Sequence, residues 1–244
     1  MRAMAPGLAV RLGTLLLWLG GAAAAANLQI SPVNLAFRPG QAALSLQLQN
    51  YGETPIFGQV RVYAWDQQGG DDVLQPTELL LASPPLMQIP PKTSQTIRLV
   101  RRDGGAAAGN EQSFRLLIDE IPREDEAGGG VAIRLRYSVP VFMAPVQDNG
   151  APDLAWMFYR KDGAWHLRLR NSGSLHAQIG ATVVANAAGK EYEVSKGLLG
   201  YALAGRTREW RLPLEAAAQL EGPLTIRTSI NARPQTAAST AAAP

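Results

Sequence analysis

Two antiparallel β-sandwiches of the immunoglobulin type, joined in tandem, are the fold that this 244-residue sequence predicts. Apolar and polar residues alternate with period two through most of the chain. Proline and glycine punctuate those runs at short intervals, and a helical spacing of apolar residues is almost absent. Near residue 144 the pattern breaks and then begins again, as a second domain would.

Taken in order, residues 1–26 come first: MRAMAPGLAVRLGTLLLWLGGAAAAA. Arg2 and Arg11, an apolar run from Leu12 to Leu19 and an alanine string that fits an A-x-A site describe a secretory signal peptide cut near Ala26. The apolar run is too short to span a bilayer, and no other segment is apolar over enough length. Export, most simply to a bacterial periplasm, follows. Without the two leader arginines the chain keeps 21 bases against 20 acids, which gives little support to a nucleic-acid partner. With no cysteine there is neither a disulfide staple nor a thiolate metal site, so packed cores must supply the stability.

The first domain is expected over residues 27–146. LSLQLQN (Leu44 to Asn50) and GQVRVYAW (Gly58 to Trp65) alternate strictly, and QTIRLVR and FRLLIDEI follow them. RPGQ, YGETP, ASPPL, IPPK and RDGGAAAG are the turns between. After a linker at APVQDNGAPD, a second domain over 147–233 runs through AWMFYRK, AWHLRLRN, AQIGATVVAN, AAGKEYEV, TREWRLPL and PLTIRTSIN. Lys161-Asp162-Gly163 is a hairpin signal between two of these runs. EAAAQL (Glu215 to Leu220) offers one helical turn at most, and residues 234–244 read as a disordered tail with little to bury.

Catalysis finds few candidates. His166 and His176 are the only histidines, which nearly excludes a histidine triad or a multi-histidine metal site. His166 reads as a strand-face residue and His176 as a solvated or capping one. Asp119, Glu120, Glu124, Asp125 and Glu126 read as a solvated run beside glycines. Gly128 to Gly130 lack the strand–turn–helix setting and Lys-Ser/Thr of a phosphate cradle. No cofactor or metal is expected, and the chain is not read as an enzyme.

What stands out is the stretch GGGVAIRLRYSVPVF, Gly128 to Phe142. Its odd positions from Val131 to Val141 form one apolar face, its even positions carry Arg134 and Arg136, and Pro140 cannot donate a ladder hydrogen bond. Together with PVNLAF, SPPLMQIPPKTSQTIRLVR and FRLLIDEIP, in that order and spacing, it resembles the PapD-like periplasmic chaperones of chaperone–usher pilus assembly, and within them the archaic, Csu-type branch. The likeness covers residues 27 to about 233 and is stronger in the first domain.

The resemblance implies two immunoglobulin-like domains in an L-shaped arrangement. It implies pilin subunits and an outer-membrane usher as partners, and donation of the chaperone's strand to an incomplete pilin. By the family's spacing from Phe142 to Pro145, the inserting residues are Val131, Ile133 and Leu135, with Tyr137 at the boundary. Burying three such aliphatic side chains contributes roughly 5–9 kcal/mol before ordering costs. Self-association of the free form, to cover its apolar strand, is left open.

The family also anchors the pilin's C-terminal carboxylate with an arginine on the first strand and a lysine on the last. Here those positions hold Asn34 and Pro140. Arg115 is the leading substitute, because a guanidinium fork grips a carboxylate bidentately; an internal ion pair with Asp119 or Glu120 is the competing role for it. Arg98, Arg101 and Arg136 rank below it, and Asn34 remains a hydrogen-bond donor. The alternative function is a secreted two-domain binding module for a glycan or surface ligand, with Trp65, Trp156, Trp165 and Trp210 as stacking platforms.

Overall fold

The computed structural model describes residues 28–102, 109–121, 134–145 and 150–240. The leader at 1–26, Val131 and Ile133, and the acids Glu124 to Glu126 lie outside those residues. Among the described residues every regular element is a strand. The first ten are β1 (Leu28–Ser31), β2 (Leu35–Phe37), β3 (Ala43–Asn50), β4 (Ile56–Gln68), β5 (Asp71–Pro76), β6 (Leu80–Ser83), β7 (Leu86–Ile89), β8 (Ser94–Arg101), β9 (Gln112–Glu120) and β10 (Arg136–Met143). The rest are β11 (Leu154–Lys161), β12 (Ala164–Asn171), β13 (Ala177–Asn186), β14 (Glu191–Ser195), β15 (Gly200–Ala202), β16 (Thr207–Arg211), β17 (Pro223–Ile230) and β18 (Arg233–Thr240).

The strands up to β10 form two facing sheets, β1-β3-β8-β6 and β2-β10-β9-β4-β5, with β7 pairing β4. Alternation decides which side chains meet between them. Leu46 and Leu48 of β3, Ile97 and Leu99 of β8, Phe114, Leu116 and Ile118 of β9, and Val139 and Val141 of β10 close one core. The strands from β11 onward form sheets β11-β12-β16 and β14-β13-β17-β18, with β15 on β13. A second core holds Phe158, Trp165, Leu167, Leu169, Ile179, Val184 and Ile226. Each sandwich also buries one asparagine that ties its turns. Asn50 donates to the carbonyls of Thr54 (2.8 Å) and Ile89 (3.0 Å), and Asn171 to those of Leu175 (2.8 Å) and Ala202 (3.0 Å).

The expected tail at 234–244 is corrected here. Residues 233–240 are strand β18, paired along the whole of β17. Ala237 packs on the second core, and Ser239 Oγ donates to the Trp156 carbonyl at 2.7 Å. Its alanines, threonine and serine carry little hydrophobic signal because main-chain bonds to β17, more than buried side chains, hold it.

Between the sandwiches lies a third apolar cluster of Trp65, Phe142, Tyr201 and Leu203. Gln67, 4% exposed, is threaded through it. Its Nε2 donates to the Tyr201 carbonyl (2.8 Å), and its Oε1 accepts from Leu203 N (3.0 Å). The β4–β5 turn docks on β16: Glu209 N donates to Gly70 O at 2.9 Å, and Arg208 pairs with Asp71 at 2.6 Å. Gly70 has φ +87°, and a Cβ there would come within 2.9 Å of Glu209, so both backbone and space require glycine. His176 is neither solvated nor a cap, contrary to expectation. Its ring stacks on Phe142 (3.5 Å between centroids), and its Nδ1 lies 2.6 Å from Glu111 Oε2, which also accepts His176 N–H. Residues far apart in the sequence thus meet across the domain joint.

Candidate functional site: a free strand edge and the cleft beside it

Strand β10 runs antiparallel to β9, with Tyr137 opposite Ile118 and Pro140 opposite Arg115. In a strand each residue's N–H and C=O leave on one side, and the sides alternate. The Leu135 carbonyl accepts from Glu120 N–H (3.1 Å), and Ala144 N–H donates to the Phe37 carbonyl (3.2 Å). The odd residues of β10 therefore bond β9, while Arg136, Ser138, Pro140 and Phe142 direct their main-chain groups to the other edge. Strand β2 covers that edge only from Val141 to Met143. Among the described residues no strand covers Arg136 to Pro140. Proline is tolerated here because its missing N–H would point away from β9.

Side chains divide the same strand differently. Val139 and Val141 are buried in the first core, and Tyr137 packs against it, its hydroxyl donating to the Leu28 carbonyl at 3.1 Å. Tyr137, expected at the boundary of the inserting row, has its ring and hydroxyl engaged with its own sandwich. Leu135, half-buried, is the one member of the expected row of three inside the described residues.

Arg136 does not serve as a free cation. Asp119, on β9, bridges it to Arg61 of β4, the latter at 2.6 Å. Burial would raise the Asp119 pKa, but the two guanidinium groups hold it below the usual carboxylate range. Arg98 is exposed on β8, in the opposite sheet. Neither lines the cleft described next: Arg136 shares a strand face with Ser138 and Pro140 but stands further from the joint, beside Asp119, and Arg98 belongs to the other sheet.

That cleft, roughly 430 Å³, opens where the free edge meets the second domain. Val33, Asn34, Arg115, Ser138 and Pro140 line one side, and Gln178, Leu199, Tyr201 and Trp210 the other. Arg115 has its Cζ 3.6 Å from the centre of the Trp65 ring and 5.3 Å from that of Tyr201. Among the described residues its guanidinium makes no hydrogen bond or ion pair, so the internal pair with Asp119 or Glu120 does not form. Burial lowers its pKa, yet an arginine stays charged at any physiological pH. The other cation at the cleft, Arg208, is already held by Asp71. A half-buried guanidinium with no hydrogen bond or ion pair among the described residues, at a cleft that Asn34 also lines, has the chemistry to accept a small anion such as a carboxylate.

Sequence reasoning missed Tyr201 and Trp210 as walls of this site, and Trp65 as the ring against which Arg115 lies. The pairing of β4, β9 and the β15–β16 region that assembles them leaves no local signal. The same burial weakens the glycan alternative: Trp65, Trp156 and Trp165 are 4%, 9% and 2% exposed, so three of the four stacking platforms are not presented.

Residues 27–148 match the sequence model of a family described as pili and flagellar-assembly chaperone, PapD N-terminal domain. Among curated proteins, the chain is 24% identical over 183 residues to the probable fimbrial chaperone YadV of Escherichia coli strain K12, covering 69% of this chain and 72% of that one. Among solved structures it is similar to a chain of the CsuC–CsuE chaperone–tip adhesion subunit pre-assembly complex from archaic chaperone–usher Csu pili of Acinetobacter baumannii. The TM-score is 0.68 at 23% identity, over 89% of this chain and 100% of that one. A chain of the Salmonella enterica SafA pilin–SafB chaperone complex gives 0.61 at 16% identity, over 87% and 95%. At these identities both likenesses concern the fold.

Proposed function

The chain belongs to the PapD family of pilus-assembly chaperones, and on that premise we propose that it caps pilin subunits in the periplasm by lending them a strand and hands them to an outer-membrane usher. The observation that carries this reading is the edge of β10. From Arg136 to Pro140 its outer main-chain groups have no strand partner among the described residues; in sequence it follows directly on Val131–Leu135, and at its other end it meets a cleft whose Arg115 guanidinium has no ion pair among those residues. A pilin lacking its last strand exposes a groove of core side chains and two bare edges, which would aggregate if left open.

Pairing with the 136–140 edge supplies the main-chain bonds. Val131, Ile133 and Leu135, as the inserting row, fill the groove. Arg115, assisted by Asn34, takes the pilin's terminal carboxylate and so fixes the register, in place of the basic pair that Asn34 and Pro140 replace. Release needs no nucleotide: an incoming subunit's own extension displaces the lent strand by fitting better. The two neighbours solved with a pilin or an adhesion subunit support pilins as the partner class, and residues 1–26 serve as the export signal.

The test is to change Ile133 and Leu135 together to glutamate and co-express the chaperone with a pilin from the same host. Loss of recoverable pilin with a normally folded variant is the expected result. Recovery at the unmodified level would eliminate strand donation.

A further inference from the structure

The indole of Trp65 lies against the guanidinium of Arg115, and that contact has a consequence for what the cleft selects. With Cζ 3.6 Å from the ring centre, and each C–N bond about 1.3 Å long, a guanidinium standing on edge would drive a nitrogen well inside contact distance of the ring. It therefore lies flat on the indole. A flat guanidinium keeps its N–H groups in the plane, pointing sideways and away from the ring, which is the orientation a carboxylate needs for a two-point grip. An ammonium has no such plane, so lysine would not substitute.

The indole is fixed from behind. Trp65, 4% exposed, donates its Nε1–H to Asp72 Oδ1 at 3.0 Å. The same oxygen accepts from Gln67 Nε2 at 3.0 Å, and Arg208 Nε lies 3.8 Å from it. Asp72 thus takes two hydrogen bonds and a longer ion pair, and although it lines the cleft and its charge is felt at Arg115, it makes neither a hydrogen bond nor an ion pair with that guanidinium. The ring also meets Tyr201 edge-on (5.3 Å, 79°) and Phe142 (6.0 Å), so it cannot rotate without opening the domain joint.

Resting on the reading of Arg115 as the carboxylate receptor, we propose that Trp65, held by Asp72, is the positioning residue that makes the cleft selective for a terminal carboxylate over its uncharged amide.

The test uses two synthetic twelve-residue strand-forming peptides of valine and threonine, identical except that one ends in a free carboxylate and the other in an amide. Their binding to the full chain is read from the Arg115 Nε–H resonance. The unmodified chain should prefer the carboxylate roughly ten- to a hundredfold, the range of one charge-assisted hydrogen bond. In Trp65→Leu that ratio should collapse toward one while affinity for the amide peptide stays within about twofold; Trp65→Phe, which keeps a ring, should retain part of it. A merely structural role would weaken both peptides alike.

If Trp65→Leu does not fold, Asp72→Asn replaces it, and the ratio should fall several-fold there. An unmodified chain that does not discriminate would overturn the carboxylate anchor and this inference with it. A folded Trp65→Leu or Asp72→Asn chain that discriminates as well as the unmodified one would overturn the positioning role alone.

Discussion

Replacing Ser138 with proline separates the two edges of β10. Ser138 directs its N–H away from β9, to the side on which Pro140 has none to offer, since β9 bonds the odd residues. The substitution therefore removes no ladder bond within the sandwich, and the residue before it, Tyr137, already has the extended backbone that a following proline requires. Its ring meets an exposed side chain position. The expected loss of stability is small, about 1 kcal/mol or less, arising from the narrower φ that proline permits.

Capture of a partner strand should suffer more. One main-chain bond worth about 0.5–1.5 kcal/mol disappears, and the ring's bulk faces the approaching strand. A two- to roughly thirteenfold weakening is the minimum this predicts. Val139→Pro is the contrast: it removes a bond to β9 at a residue only 4% exposed, and should cost about 3 kcal/mol or more. Urea unfolding of the two variants, beside pilin retention in co-purification, gives both quantities. Equal retention by Ser138→Pro and the unmodified chain would refute the assignment of this edge to the partner. Equal destabilisation by the two prolines would refute the assignment of sides.

Truncation after Ala232 should destabilise the second domain by on the order of 2 kcal/mol and lower its unfolding midpoint, because it strips β17 of its partner; a truncated chain that melts with the full one would restore the disordered-tail reading. Asp119→Asn releases Arg61 and Arg136, at about 1–2 kcal/mol once the exposure of Arg136 is discounted. Since the folded pKa of Asp119 is depressed, its contribution is complete above the unfolded value near 4 and fades as pH falls through the folded one. The stability gap between the two chains should therefore be full at neutral pH and close under acid; a gap that widened on acidification would contradict this bridge.

Much of the fold was legible because alternation is a direct image of burial. In Leu44 to Asn50, and again in Phe114 to Ile118, every second side chain entered the core as the period required. The free edge was legible in part: Pro140 announced that one side of its strand lacks a donor, but which residues β2 leaves uncovered depends on where that short strand ends.

Other features leave no periodic trace. Strand β18 is written in alanine, threonine and serine, residues as common in tails as in edges. His176 finds Glu111 and Phe142 only because two sandwiches dock. The choice of Arg115 over Arg98 and Arg136 could be ranked from the sequence, yet what frees it is that Asp119 pairs with Arg136 opposite and Arg61 diagonally, and that β4 brings over the indole. Cross-strand register and domain docking, rather than residue type, decide which cation is left without a partner.

The most direct measurement is hydrogen exchange at the amides of Arg136 and Ser138, with and without a bound pilin. Fast exchange in the free chaperone and strong protection in the complex, while Val139 and Val141 stay protected throughout, is what a lent edge predicts. Amides already protected in the free chain, or still fast in the complex, would contradict it.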